Sequence, residues 1–275
     1  MIKDIIVNLG LGSRDPASDY ALSVADAFGA HLLGTAFVYE PLIPSVVTGS
    51  IPAEVIDSQR RDTEASANRG VARFAEAARR VGVSAETRIL NASIAGAADT
   101  FGGMARRFDL VVVGQPEPEK PVPEDILVEG ALFGGGRPVI IVPFIQKGGL
   151  KLDHVLVCWD GSRTAARALA DAMPLLHKAT EVEVLIVANE RGKSDELPGA
   201  DIAQHLARHG VKVDVKRISA GDVDVANIVL SHAADAGADF IVMGGYGHSR
   251  LREFVLGGVT RGILQSMTVP TLMSH

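Results

Sequence analysis

The chain has 275 residues, 47% of them hydrophobic and 22% charged, with a formal net charge of −6 and a single cysteine. That is ample apolar material for one large or two ordinary domains, and the acidic balance argues against a broad nucleic-acid surface. No apolar run approaches the ~18 residues of a membrane span, the opening MIKDIIVNLGLGSRD lacks the order of a secretory signal, and one thiol cannot make an internal disulfide, so a cytoplasmic protein is expected.

Strand-like apolar runs fall at Ile5–Val7, Leu32–Tyr39, Ser84–Leu90, Leu110–Val113 and Val139–Val142. A second series follows at Val155–Cys158, Val182–Val187, Val211–Val215, Phe240–Met243 and Thr268–Met273. Helical periodicity lies between most of them. Ala165, Ala168, Leu169, Ala172, Leu175 and Leu176 share one helical face, and Ala67, Val71, Phe74, Ala75, Ala78 and Val81 do much the same. Strands alternating with helices predict parallel sheets covered on both faces.

The two series are also alike in sequence. Phe108-Asp109-Leu110-Val111-Val112-Val113-Gly114 matches Ala238-Asp239-Phe240-Ile241-Val242-Met243-Gly244. Pro138-Val139-Ile140-Ile141 matches Pro270-Thr271-Leu272-Met273, and Asp4-Ile5-Ile6-Val7 matches His154-Val155-Leu156-Val157. Three matches in one order predict an internal duplication, with domains over 1–147 and 151–275 and a hinge around Gln146–Gly149. The last strands of the two halves, Val139–Val142 and Val269–Met273, are short, apolar and expected to pair.

Only the second half carries a candidate site. Asp160-Gly161-Ser162 follows its first strand, and Gly244 and Gly247 follow its fourth. Nine residues later come Gly257, Gly258 and Val259, where a helical pattern begins. Glycines let backbone N–H groups approach a ligand, and a helix N-terminus suits phosphate. The spacing G-x-x-G-x9-G-G is neither a Walker loop nor the dinucleotide fingerprint.

Val242 to Thr260 and Asp160 together resemble the universal stress protein family, which carries G-x-x-G-x9-G-[ST] after its fourth strand and an Asp after its first. The resemblance implies two tandem Rossmann-like α/β domains of the adenine nucleotide α-hydrolase kind. Each would hold a five-stranded, mostly parallel sheet of order 3-2-1-4-5 with helices on both faces. Strands one and four are then neighbours at a topological switch point. The resemblance also implies ATP as ligand, with any Mg2+ held by its phosphates. Asp160 would face the adenosine end, and the backbone of Val187 the adenine edge. Gly244 and Gly247 would line the ribose and phosphate turn above Met243, and Gly257, Gly258 and Val259 would hold the phosphates. Gly258 stands where the family has Ser or Thr, which removes one hydroxyl donor; Thr260 and Ser249 are candidate substitutes.

The first half departs from this pattern. It has no Asp matching Asp160, Gln115 follows Gly114, and Asp125 stands in place of Gly257 among Glu117, Glu119 and Glu124. That half is expected to hold no nucleotide and to serve as a structural partner of the second. A homodimer of tandem chains is also expected.

Plainer readings exist for each feature. Asp160-Gly161-Ser162 also reads as a strand-to-helix turn with a cap, and Gly257-Gly258 as close packing. His205 and His209, spaced i, i+4, read as a solvated helix face, and no metal is expected. His232 reads as a hydrogen-bonded, partly buried histidine, His248 as exposed loop or a phosphate contact, and Cys158 as an inert thiol. Near the motif only His248, Arg250 and Arg252 could assist chemistry, and there is no Lys. The expected function is therefore a non-enzymatic adenine-nucleotide-binding module of stress response or signalling, with no nucleic acid or membrane partner. The alternatives are a nucleotide-free scaffold and a slow ATP hydrolase.

Overall fold

The computed structural model describes residues 1–40, 53–117, 124–188, 199–245 and 258–275. These fall into two compact units, Ile2–Arg137 and Pro138–His275, the second joined by Met1. No helix among the described residues is long and apolar enough to cross a membrane.

The N-terminal unit runs β1 (Asp4–Asn8), α1 (Pro16–Phe28), β2 (His31–Tyr39), α2 (Ala53–Val81), β3 (Ala85–Ala92), α3 (Ile94–Ala105), β4 (Leu110–Gly114) and α4 (Glu124–Glu129), with a π-helical turn at Gly130–Gly134. Its strands are parallel in the order β3-β2-β1-β4. Helix α1 packs on α2, and α3 on α4. Right-handed crossovers put the first pair on one face and the second on the other. Ala67, Phe74 and Ala78 of α2 are buried as the periodicity predicts, whereas Val81 at the helix end is exposed.

The C-terminal unit runs β5 (Val139–Val142), β6 (His154–Cys158), α5 (Arg163–Leu176), β7 (Glu181–Ala188), α6 (Ala200–Arg208), β8 (Asp214–Ser219), α7 (Val225–Asp235), β9 (Phe240–Gly244), α8 (Gly258–Ser266) and β10 (Thr271–Ser274). Strands β8-β7-β6-β9-β10 are parallel neighbours, which is the 3-2-1-4-5 order. Strand β5 closes this sheet antiparallel to β10, with Leu272 opposite Ile140. The six residues expected on one face of α5 are all buried.

Two strands shift from their predicted places. The run at 211–215 becomes β8 only from Asp214, because Gly210 turns with a positive φ and the Val211 N–H closes back on Leu206 O at 3.0 Å. The final strand starts at Thr271, after Pro270. Proline lacks the N–H that a central strand must donate.

The duplication is visible in the bonding. Asp109 Oδ2 accepts from the Lys3 and Asp4 N–H groups at 2.8 and 3.1 Å, and the Asp109 N–H donates to Asp4 O. Asp239 Oδ2 likewise accepts from Asp153 N–H at 3.0 Å, and the Asp239 N–H donates to His154 O. Each half thus ties the start of its fourth strand to the start of its first with the same aspartate, which explains why Asp109 and Asp239 recur in the matched segments.

Candidate functional site at the switch point of the C-terminal unit

Strand β6 ends at Cys158 and α5 begins at Arg163, so the turn between them is short. Gly161 takes φ +72°, a backbone conformation that favours glycine. Asp160 Oδ1 accepts the Ser162 N–H at 2.9 Å, and Ser162 Oγ accepts the Ala165 N–H at 3.1 Å, capping α5. The plain turn reading is therefore correct as structure. It leaves the Asp160 carboxylate exposed at the end of the central strand, with one oxygen committed to the turn.

Gly244 ends β9 against the first turn of α5. A Cβ there would lie 2.6 Å from Ala165 N and from Thr164 Oγ1. The absence of a side chain is what lets the fourth strand come this close to the helix N-terminus. Ser162 Oγ and Thr164 Oγ1 are 3.1 Å apart, so two hydroxyls stand beside Gly244 and the Asp160 turn. Thr164 is buried and has no counterpart in the sequence motif; only its place just past a cap pointed to it. Met243 lies buried behind Gly244. Gly245 is held by its N–H to Ser274 O at 2.9 Å, and the His275 ring donates Nδ1–H to Gly245 O at 3.2 Å.

Val187 lies near the end of β7. Leu185 O accepts the Trp159 N–H at 2.9 Å on the β6 side, and Ala188 O accepts the Ala220 N–H at 3.0 Å on the β8 side. Alternation along a strand therefore turns the Val187 N–H and C=O toward β6, beyond Cys158 where that strand stops. Gly258 opens α8 exposed, and among the described residues nothing lies within 4 Å of a Cβ on it. Val259 is half-buried and Thr260 buried. Gly247 and Gly257, with His248, Ser249, Arg250 and Arg252, lie outside the described residues. The described part of the site thus brings together Asp160, Thr164 and Gly244, and exposes the N-terminus of α8.

Cys158 lies just before this turn. Desolvation pushes its thiol up to about 12, and the charge of Asp160 adds to the rise. It is therefore a poor nucleophile. His232 donates to Glu183 Oε1 at 2.5 Å.

The corresponding turn of the N-terminal unit is built differently. No aspartate follows β1 in the place of Asp160, but Asp15, the cap of α1, folds back toward the loop. It accepts from Gly10 N–H at 2.8 Å and Ser18 N–H at 3.1 Å. Burial is the main cause that lifts its carboxyl to about 6; the two N–H donors and Arg73 oppose the rise, and Asp19 adds to it. Asp15-Pro16 is legible as a helix start, but its burial is not. Gln115, after Gly114, is buried as well. At the start of α4, Asp125 Oδ1 accepts the Ile126 N–H at 3.0 Å. Burial raises the Glu129 carboxyl, and Asp125 contributes to the rise.

The sheet order and the switch-point turn define an open, mostly parallel α/β domain of the Rossmann-like kind. Residues 151–275 match the universal stress protein family. A universal stress protein of Synechocystis is 23% identical over 170 residues, 60% of this chain and 57% of that protein, so the match spans little more than half of that relative. One of Bacillus subtilis is 28% identical over 144 residues, 44% of this chain and 97% of its own. The crystal structure of a universal stress protein from Archaeoglobus fulgidus aligns over 98% of this chain and 97% of its own, with a TM-score of 0.69. At 17% identity that likeness is one of fold.

Proposed function

We propose that the chain binds an adenine nucleotide, ATP in the first instance, in the C-terminal unit only, and works as a stress-response or signalling module without turnover. The observation that carries this reading is the approach of Gly244 to the α5 N-terminus beside the exposed Asp160. In this reading Asp160 takes the adenosine end and the Val187 backbone the adenine edge. Gly244 and Gly247 line the turn over Met243, and the N–H groups at Gly257, Gly258 and Val259 hold the phosphates, with any Mg2+ carried by the phosphates themselves. Among the described residues the turn brings together the Ser162 and Thr164 hydroxyls, the Asp160 carboxylate and, at the start of α5, Arg163. The N-terminal half is read as a structural partner. Its corresponding turn is occupied by Asp15, and α4 starts with acidic residues, where phosphate needs donors.

Calorimetric titration with ATP and Mg2+ tests the site through Gly258. Among the described residues nothing lies within 4 Å of a Cβ at this position, which favours Gly258→Ser as the probe. The expected gain is about 0.5–1.5 kcal/mol, one added neutral hydrogen bond. Gly257→Val is expected to abolish binding. Unchanged affinity in both variants contradicts the site. A second reading, a scaffold without nucleotide, rests on Asp160 and Gly244 having structural duties of their own. Absence of any heat with ATP, ADP or AMP would favour it.

A further inference from the structure

Helix α6 ends in a feature unrelated to the nucleotide crevice. His205 and His209 lie one turn apart, linked by the His209 N–H to His205 O bond, and both are exposed. Their ring centroids are 4.7 Å apart, with the planes tilted by 54°. Among the described residues no hydrogen bond or ion pair engages either imidazole. A third histidine, His177 at the end of α5, donates Nε2–H to His209 O at 2.9 Å and steadies the end of α6. Asp201, a further turn back along α6, spends Oδ1 on the Ile202 N–H.

The ring separation is the informative quantity. A metal bound by imidazole nitrogen sits about 2.0–2.1 Å from that nitrogen, hence roughly 3.2 Å from the ring centre. Two such rings at an N–metal–N angle between about 90° and 110° have centres about 4.5–5.2 Å apart. The observed spacing falls in that interval without any change of backbone. The site also lies at a helix C-terminus, the negative end of the helix dipole. Among the described residues no group of three or more His, Cys, Asp or Glu side chains is placed to hold a metal, so the protein would supply two ligands and water the rest.

We propose that His205 and His209 form a two-imidazole chelate for a borderline divalent transition cation. Imidazole pairs rank such ions with Cu2+ ahead of Ni2+ and Zn2+, and disfavour Mg2+. This ion is therefore distinct from any Mg2+ accompanying a nucleotide.

The test is a titration of the full chain with Cu2+ and Ni2+, read by calorimetry and by paramagnetic broadening of backbone amide signals. One ion is expected at this site, with broadening centred on 203–210. His205→Ala and His209→Ala are each expected to weaken binding roughly tenfold or more, since either leaves a single ligand without its chelating neighbour. Gln204→Ala, an exposed and uncharged position on the same helix, should leave binding unchanged. Broadening confined to other histidines, or equal affinity in the two histidine variants and the parent, would overturn the proposal. The broadening is measured on the unaltered chain and so stands even if a variant misfolds.

Discussion

Asp15 shows how one buried carboxyl makes stability depend on pH. Its carboxyl is raised from 3.8 to about 6, chiefly by burial. The folded chain therefore holds this proton more tightly than the unfolded chain does. The contribution is complete below about pH 3.8 and is lost as pH rises through about 6. Two units correspond to on the order of 3 kcal/mol. Asp15→Asn does not titrate, so urea unfolding from pH 4 to pH 8 should show the parent losing stability relative to the variant by that order. A constant gap would contradict the burial argument. Gly244 gives a steric counterpart. A Cβ there would meet backbone atoms of Thr164 and Ala165 at 2.6–2.7 Å, whereas one on Gly258 would meet none among the described residues. Gly244→Ala should cost about 1–3 kcal/mol in thermal or urea unfolding, as overpacking does. Gly258→Ala should stay within about 0.5 kcal/mol of the parent.

At the level of elements, the turn between β6 and α5 depends on Ser162 as much as on Asp160. Removing the Ser162 hydroxyl deprives Ala165 N–H of its acceptor and should cost about 1 kcal/mol. An unfolding midpoint unchanged in Ser162→Ala would mean that water satisfies that group equally well. The elements most legible in the sequence were those with a strong period and a buried face. Helix α5 is the clearest case, since all six of its predicted face residues are buried. Strand β8 was legible only as an apolar run, because its residues are mostly exposed and its start is set by the turn at Gly210. The candidate site was legible as a place in the fold where residue types mark it, as at Asp160 and Gly244. It was hidden where chemistry is written in contacts. Thr164 owes its place to the approach of β9, and Asp15 owes its burial to a loop folding over it.

At the level of the whole chain, one plan is used twice with different outcomes. The aspartate clamp at Asp109 and Asp239 survives in both halves because it holds the sheet together. The switch-point turn diverges: one copy exposes its carboxylate, and the other buries Asp15 against its own loop amides. The edge of β10 that the sequence offers to a partner strand is covered by β5 within the C-terminal unit. A homodimer would therefore need another surface. Sedimentation velocity over a range of concentrations should show that dimer; a single monomeric species throughout would rule it out.

The asymmetry between the halves is the central claim, and ligand stoichiometry tests it most directly. Native mass spectrometry of gently purified chain, followed by acid extraction and chromatography, should find one adenine nucleotide per 275-residue chain. Two per chain, or none even after saturation with ATP and Mg2+, would contradict it.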